Sequence, residues 1–111
     1  MTLKRGDIVR IDTNKGIGHV QLGNRPALVV SNDVGNNYSR ILIVAPMTGI
    51  LKKLQLPTHV ILNGYGLDYT SVVMCEQLQT INKDEVTKKI GSLNQEDLLK
   101  IDTALRVAIN V

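Results

Sequence analysis

A small antiparallel β-barrel or half-barrel followed by a helix is the fold class that the sequence predicts, and three observations predict it. Five short period-two or β-branched runs, separated by turn-forming Gly, Asn and Asp, occupy the chain up to Leu78. No long helical pattern interrupts them, which sets strands first and helix last. The 111 residues suffice for one core and are too few for two, so 1–111 reads as a single domain.

The runs place strands at Asp7–Asp12, Arg25–Asn32, Arg40–Met47, Pro57–Leu62 and Ser71–Leu78. Asn82, with Glu85 three residues on, fits a helix cap and predicts a short helix through about Lys89. Ser92 or Asn94 can cap a second helix, in which Leu98, Ile101, Leu105 and Ala108 recur at three- and four-residue steps. That face should pack on the strands. Two loops stand out: Thr13–Asn24, with three glycines, and Thr48–Gln55, with Lys52 and Lys53. Long loops in so small a domain are often functional.

Hydrophobic residues at 43% and charged ones at 21% describe a soluble globular chain. Thirteen basic against ten acidic residues give a net charge of +3, which favours anionic partners. The single cysteine, Cys75, allows no internal disulfide, and MTLKRGDIV has no apolar core of signal-peptide length. No run approaches the roughly 18 apolar residues of a membrane helix. A reduced, cytoplasmic protein without a membrane segment is expected.

The chemistry-bearing residues are few. His19, His59 and Cys75 have no zinc-site spacing, and the carboxylates are scattered, so neither metal nor cofactor is expected. No nucleophile elbow, P-loop or dinucleotide fingerprint occurs. A polar set remains at strand ends: Gln21 and Arg25 around the first loop, Thr48 past the third strand, and Glu76-Gln77 inside the fifth. A carboxylate within SVVMCEQL is costly unless paired, so Glu76 is expected to meet Arg25, His19 or a backbone donor. Arg25 itself has two readings: an ion pair with Glu76 that stitches strands, or a guanidinium at a mouth, open to a phosphate. His59 alternates within a strand and reads as structural, Cys75 as a small buried hydrophobe, and Met47 and Met74 as core filler. Lys52 and Lys53 read as a solvated loop with access to a phosphate backbone.

Six blocks then carry a resemblance: KRGDIV at Lys4–Val9, GHVQLGNRPALVVSND at Gly18–Asp33, IVAPMT at Ile43–Thr48, LPTHV at Leu56–Val60, SVVMCEQLQTINK at Ser71–Lys83 and IGSL at Ile90–Leu93. In these, over nearly its whole length, the chain resembles the MazF/PemK/Kid family of toxin endoribonucleases. The resemblance implies a compact β-barrel of the CcdB/PemK type with a C-terminal helix, and a homodimer that cleaves single-stranded mRNA at short sequences without metal. It implies a cognate antitoxin as well. It assigns catalysis first to Arg25 and Thr48, the arginine of the RP pair and the threonine closing APMT.

A planar, permanently charged guanidinium suits the crowded phosphorane charge of RNA cleavage, but it is a poor proton carrier. Many relatives place a glutamate where this chain has Val20. By resemblance the proton-transfer candidates are then His19, whose residue type titrates near neutrality, and Glu76. A second departure is QTINK, where Gln79 and Asn82 replace the charged residues of R-T-I-D, so a cleavage motif does not carry over from relatives. With three tyrosines and no Phe or Trp, base stacking is limited, and RNA recognition is expected to lean on Gln21, Leu56, Pro57, Gln77 and Gln79, with Lys52 and Lys53 on the backbone. The alternatives are a CcdB-like gyrase-poisoning toxin without nuclease activity and a non-catalytic binding barrel.

Overall fold

In the computed structural model of the protein, residues 2–13, 23–51 and 55–111 are described. They form β1 (Asp7–Thr13), β2 (Gly23–Val29), α1 (Asp33–Tyr38), β3 (Ile41–Thr48), β4 (His59–Leu62), β5 (Ser71–Met74), β6 (Gln79–Asn82), β7 (Val86–Ser92) and α2 (Gln95–Ile109). The five expected strands are all present. The strand path is β4-β5-β3-β2-β1-β7, with β6 also on β3, and every pairing is antiparallel. Among the described residues no pairing joins β4 to β7, so the strands show an antiparallel sheet with a C-terminal helix and not a closed barrel.

Both faces of the central strands are buried. Ile8, Leu28, Ala45 and Met47 belong to one apolar cluster, while their chain neighbours Val9, Ala27, Val29 and Val44 belong to another. Successive residues point to opposite faces, so a strand buried on both sides reads as an unbroken apolar run, as ALV at 27–29 and VAPM at 44–47 do. Helix α2 covers the first cluster through Ile101 and Ala104, with Leu105 and Ala108 packed beside them, as the helical spacing predicts. Its cap is Asn94, whose side chain accepts from the Asp97 N–H at 2.8 Å. Arg5 ties the same helix to the sheet, bonding Asp102 at 2.5 Å and the Val30 carbonyl at 3.1 Å.

Two expectations are corrected. The helix predicted from Asn82 to Lys89 is a 3-10 turn at Lys83–Glu85 followed by β7, and the Asn82 side chain makes no cap bond. Pairing of Val86–Ser92 with β1 overrides the local capping pattern. Within the run Ser71–Leu78 only Ser71–Met74 is strand, a turn follows at Cys75–Leu78, and a second strand, β6, begins at Gln79 on the same side of β3. Between the pairs Thr48↔Val72 and Val44↔Gln79, β3 advances four residues while its partner advances seven, so the turn at Cys75–Leu78 carries three surplus residues. A bond from Gln77 N to the Met74 carbonyl at 3.1 Å closes that turn.

The KRGDIV block has a structural reason. Gly6 takes a left-handed φ of 93°, and Asp7, only 2% exposed, accepts from the Lys4 N–H at 2.8 Å and the Ser92 hydroxyl at 2.6 Å. A buried carboxylate so satisfied clamps β1 to the end of β7. The Lys89 ammonium lies 3.3 Å away and completes the set.

Candidate active site

Arg25 and Thr48 flank a place where two strands part. The β2–β3 ladder runs Val29↔Val44, Leu28↔Ala45, Ala27↔Pro46 and ends there. Pro46 and the adjacent Pro26 have no N–H to extend a ladder. Arg25 and Thr48 each lie two residues beyond the last rung, and the same register carried on would set them opposite one another on one face.

On its other side Thr48 pairs with Val72 of β5, and β5 pairs Met74 with His59. Met47, Val73 and Val60 point into the core, so by alternation Thr48, Met74 and His59 share the opposite face. Glu76 reaches His59 from the surplus turn. Its carboxylate lies 2.9 Å from His59 Nε2 and accepts from the Thr58 hydroxyl at 3.1 Å, and the Gln77 amide adds a long bond of 3.4 Å. Of the expected partners of Glu76, a backbone donor is present, Arg25 is not among its side-chain partners, which are His59 and Thr58, and His19 lies outside the described residues. Burial pushes its carboxyl up, but the bond from His59, its own backbone N–H, the His59 charge and the Thr58 hydroxyl outweigh that and hold it below the ordinary carboxylate value. The neighbouring Cys75 is fully buried, and burial, then the Glu76 charge, push its thiol up to about 12.

His59, read from its alternation as structural, is thus the partner of a candidate catalytic carboxylate. Its side chain is 8% exposed, and Nδ1 is buried with no hydrogen-bond partner among the described residues. Leu56 and Pro57 immediately precede this cluster and are exposed, whereas Gln79 is half-buried in β6 opposite Val44. His19, Gln21, Lys52 and Lys53 lie outside the described residues.

Beside Arg25 is a cavity of about 240 Å³ that the sequence reading did not foresee, with Arg10, Asp68, Tyr69 and Ser71 in its walls. Arg10 stands opposite Pro26 on β1, one rung from Arg25. Its alternation among the apolar residues of DIVRID is the only sequence signal for it. Asp68 and Tyr69 carry no periodic signal, being in the segment between β4 and β5. Among the described residues no three His, Cys, Asp or Glu side chains converge to hold a metal, and no helix is long and apolar enough to cross a membrane.

The profile of the PemK-like, MazF-like toxins of type II toxin–antitoxin systems matches residues 4–109. This chain belongs to that family. Among curated PemK-like relatives, Endoribonuclease EndoA of Bacillus subtilis (strain 168) is 41% identical over 111 residues, spanning 98% of this chain and 96% of that protein. A solved endoribonuclease in complex with its cognate antitoxin, from a mycobacterial species, superposes with a TM-score of 0.81 at 26% identity, over 98% of this chain and 96% of that one. MazF from Deinococcus radiodurans shares the fold, with a TM-score of 0.82 at 21% identity over 100% and 99% of the two chains. The strand-end arginine and threonine of this PemK-like chain therefore sit in a fold that its relatives share.

Proposed function

We propose that this protein is the toxin of a type II toxin–antitoxin system and a metal-independent endoribonuclease that cuts single-stranded mRNA at a short sequence. It would act in the cytoplasm as a homodimer, held in check by a cognate antitoxin. The observation that carries the reading is the pair Arg25 and Thr48, equidistant from the last rung of a ladder that ends in prolines. Family membership and the endoribonuclease relatives support it. A gyrase-poisoning toxin would leave that arginine and threonine without a role.

Cleavage forms a bond from O2′ to phosphorus and breaks the bond to O5′. One proton leaves the 2′-hydroxyl and another arrives at O5′, leaving a 2′,3′-cyclic phosphate and a 5′-hydroxyl. Arg25 supplies two parallel N–H donors to the phosphorane oxygens, and Thr48 orients the phosphate for in-line attack. His19 carries the proton, with Glu76 as the second candidate. The low-lying carboxyl of Glu76 makes it the weaker base at neutral pH, which supports His19. Gln21, Leu56, Pro57, Gln77 and Gln79 read bases, and Lys52 and Lys53 contact the backbone.

The test is incubation of the purified protein with a long unstructured RNA in excess chelator. Discrete fragments with 5′-hydroxyl ends, absent with Arg25→Ala, are expected. Intact RNA together with capture of gyrase would replace this reading with the gyrase-poisoning one.

A further inference from the structure

The cleavage chemistry accounts for Arg25 but not for the other walls of its cavity. From them we infer that the cavity is a nucleotide subsite beside the scissile phosphate, where Tyr69 stacks on a base and Arg10 takes a neighbouring backbone phosphate from Asp68. This rests on the reading of Arg25 as the cleavage arginine.

Tyr69 is placed for stacking. Its ring lies so close over Gly49 that a Cβ there would overlap it, and Gly49 is the residue after Thr48. The side chain is nevertheless 59% exposed. A large ring backed by main chain yet open to solvent is the arrangement on which unpaired bases stack, and every base has a face to offer it. The Ser71 hydroxyl donates to the Tyr69 carbonyl at 3.0 Å from a fully buried position, which fixes the backbone that carries the ring. Of the three tyrosines, Tyr69 is the one in the cavity wall, and Tyr65 gives its hydroxyl to Asp97.

Arg10 is placed for exchange. It meets Asp68 at 3.6 Å, too long for a good hydrogen bond, and the Asp68 side chain is 76% exposed. An exposed pair at that distance contributes little, whereas a phosphate offers two oxygens to the guanidinium fork. Arg10 and Arg25 both line the cavity, two guanidinium groups whose planar forks match phosphate oxygens. The volume of about 240 Å³ falls below the roughly 300–1,000 Å³ of sites that enclose a drug-sized ligand, so it fits a base or a phosphate of a longer strand.

The test uses the full chain and a short RNA spanning a mapped cleavage site, made uncleavable by a 2′-deoxy sugar at the attacked nucleotide. Stacking on Tyr69 predicts that Tyr69→Leu weakens binding by about 5–150-fold, while Tyr69→Phe stays within about twofold. Arg10→Gln should weaken binding and reduce the slope of log affinity against log salt by about 0.7, the share of one phosphate on a single strand. Asp68→Asn should tighten binding, since it removes the competitor. The chain has no tryptophan, so Tyr69→Trp supplies a single fluorophore whose emission the RNA should quench. Should Arg10→Gln fail to fold, Arg10→Lys must keep the salt slope while losing affinity. Wild-type affinity and slope in folded Tyr69→Leu and Arg10→Gln overturn the subsite, and so does a loss confined to one of the two. A wild-type protein that binds this RNA with these sensitivities but leaves its all-ribose counterpart uncut overturns the reading of Arg25 instead.

Discussion

Arg25 on β2 and Thr48 on β3 lie at equal distances, two residues, beyond Ala27↔Pro46, the last rung between their strands. The register that would join them is present in the chain, and the ladder that would use it is not. Carried on, that register sets the two residues opposite one another on one face, the arrangement on which the proposed cleavage rests. Arg25→Ala should therefore leave fold and thermal midpoint nearly unchanged and lower single-turnover cleavage at least about a hundredfold, the scale of one lost transition-state donor. Thr48→Ala should act in the same direction less severely, with Thr48→Ser retaining most activity. Unfolding of Arg25→Ala would mean that the arginine stitches strands.

Gly49→Ala separates site geometry from stability. The new methyl would meet the ring of Tyr69, a side chain able to swing away, so the protein should stay folded. Binding of the uncleavable RNA, and with it cleavage at subsaturating RNA, should fall by about the factor expected for Tyr69→Leu, since both remove the ring from the wall. Unchanged cleavage would show that the position of the ring is immaterial.

Gly91→Ala should do the reverse. A Cβ at Gly91 would come 2.5 Å from the carbonyl oxygen of Tyr65, which is main chain held by a left-handed residue with φ 57°. Nothing flexible can give way. A loss of about 1–3 kcal/mol, read as a lower urea midpoint with unchanged m-value, is expected, with the specific activity of the folded fraction preserved. A wild-type midpoint would show that the backbone there yields.

The contrast between those glycines mirrors what was legible in the sequence. Strands β1 to β5 and α2 announce themselves because their buried faces repeat at two residues or at three and four. Strand β7 does not: VTKKIGS is largely exposed at one end of the path, with Lys88 and Lys89 on it, so its strand character comes from pairing with β1. Charged residues on an end strand are common because they discourage further pairing. Within the site, Arg25, Thr48 and Glu76 could be singled out one by one. The partner of Glu76 could not, because His59 is 17 residues away and meets it only through the β4–β5 pairing and the surplus turn. Arg10, Asp68 and Tyr69 were missed for the same reason: a cavity wall assembled from β1 and the β4–β5 connection has no period.

The Glu76–His59 bond makes stability depend on pH with a definite sign. The folded carboxyl lies below its ordinary value, so the unfolded chain binds more protons as pH falls through that range. Its contribution is fully present above the unfolded pKa and disappears as pH drops through the folded one. Glu76→Gln should lower the melting temperature by about 2–5 °C at pH 7, in keeping with a partly screened pair worth at most ~1 kcal/mol. The difference from wild type should shrink below about pH 4. A difference that persists at pH 2–3 would assign the effect to lost packing.

The same carboxyl decides where the pH profile of cleavage should bend. If Glu76 were the general base, the limb of rising rate would lie below the ordinary carboxylate range, because its partners hold it there. A histidine base moves the limb to about 6–7.5, allowing a shift of about a unit from the unperturbed value. Single-turnover cleavage should show the higher inflection, and His19→Gln should flatten it and slow the reaction about 10²–10⁴-fold at neutral pH with RNA binding nearly unchanged. Glu76→Gln should keep that inflection, since its carboxylate is already ionised across the range. An intact limb in His19→Gln together with a lost one in Glu76→Gln would transfer the proton to the turn after β5, with His59 as the group that orients it.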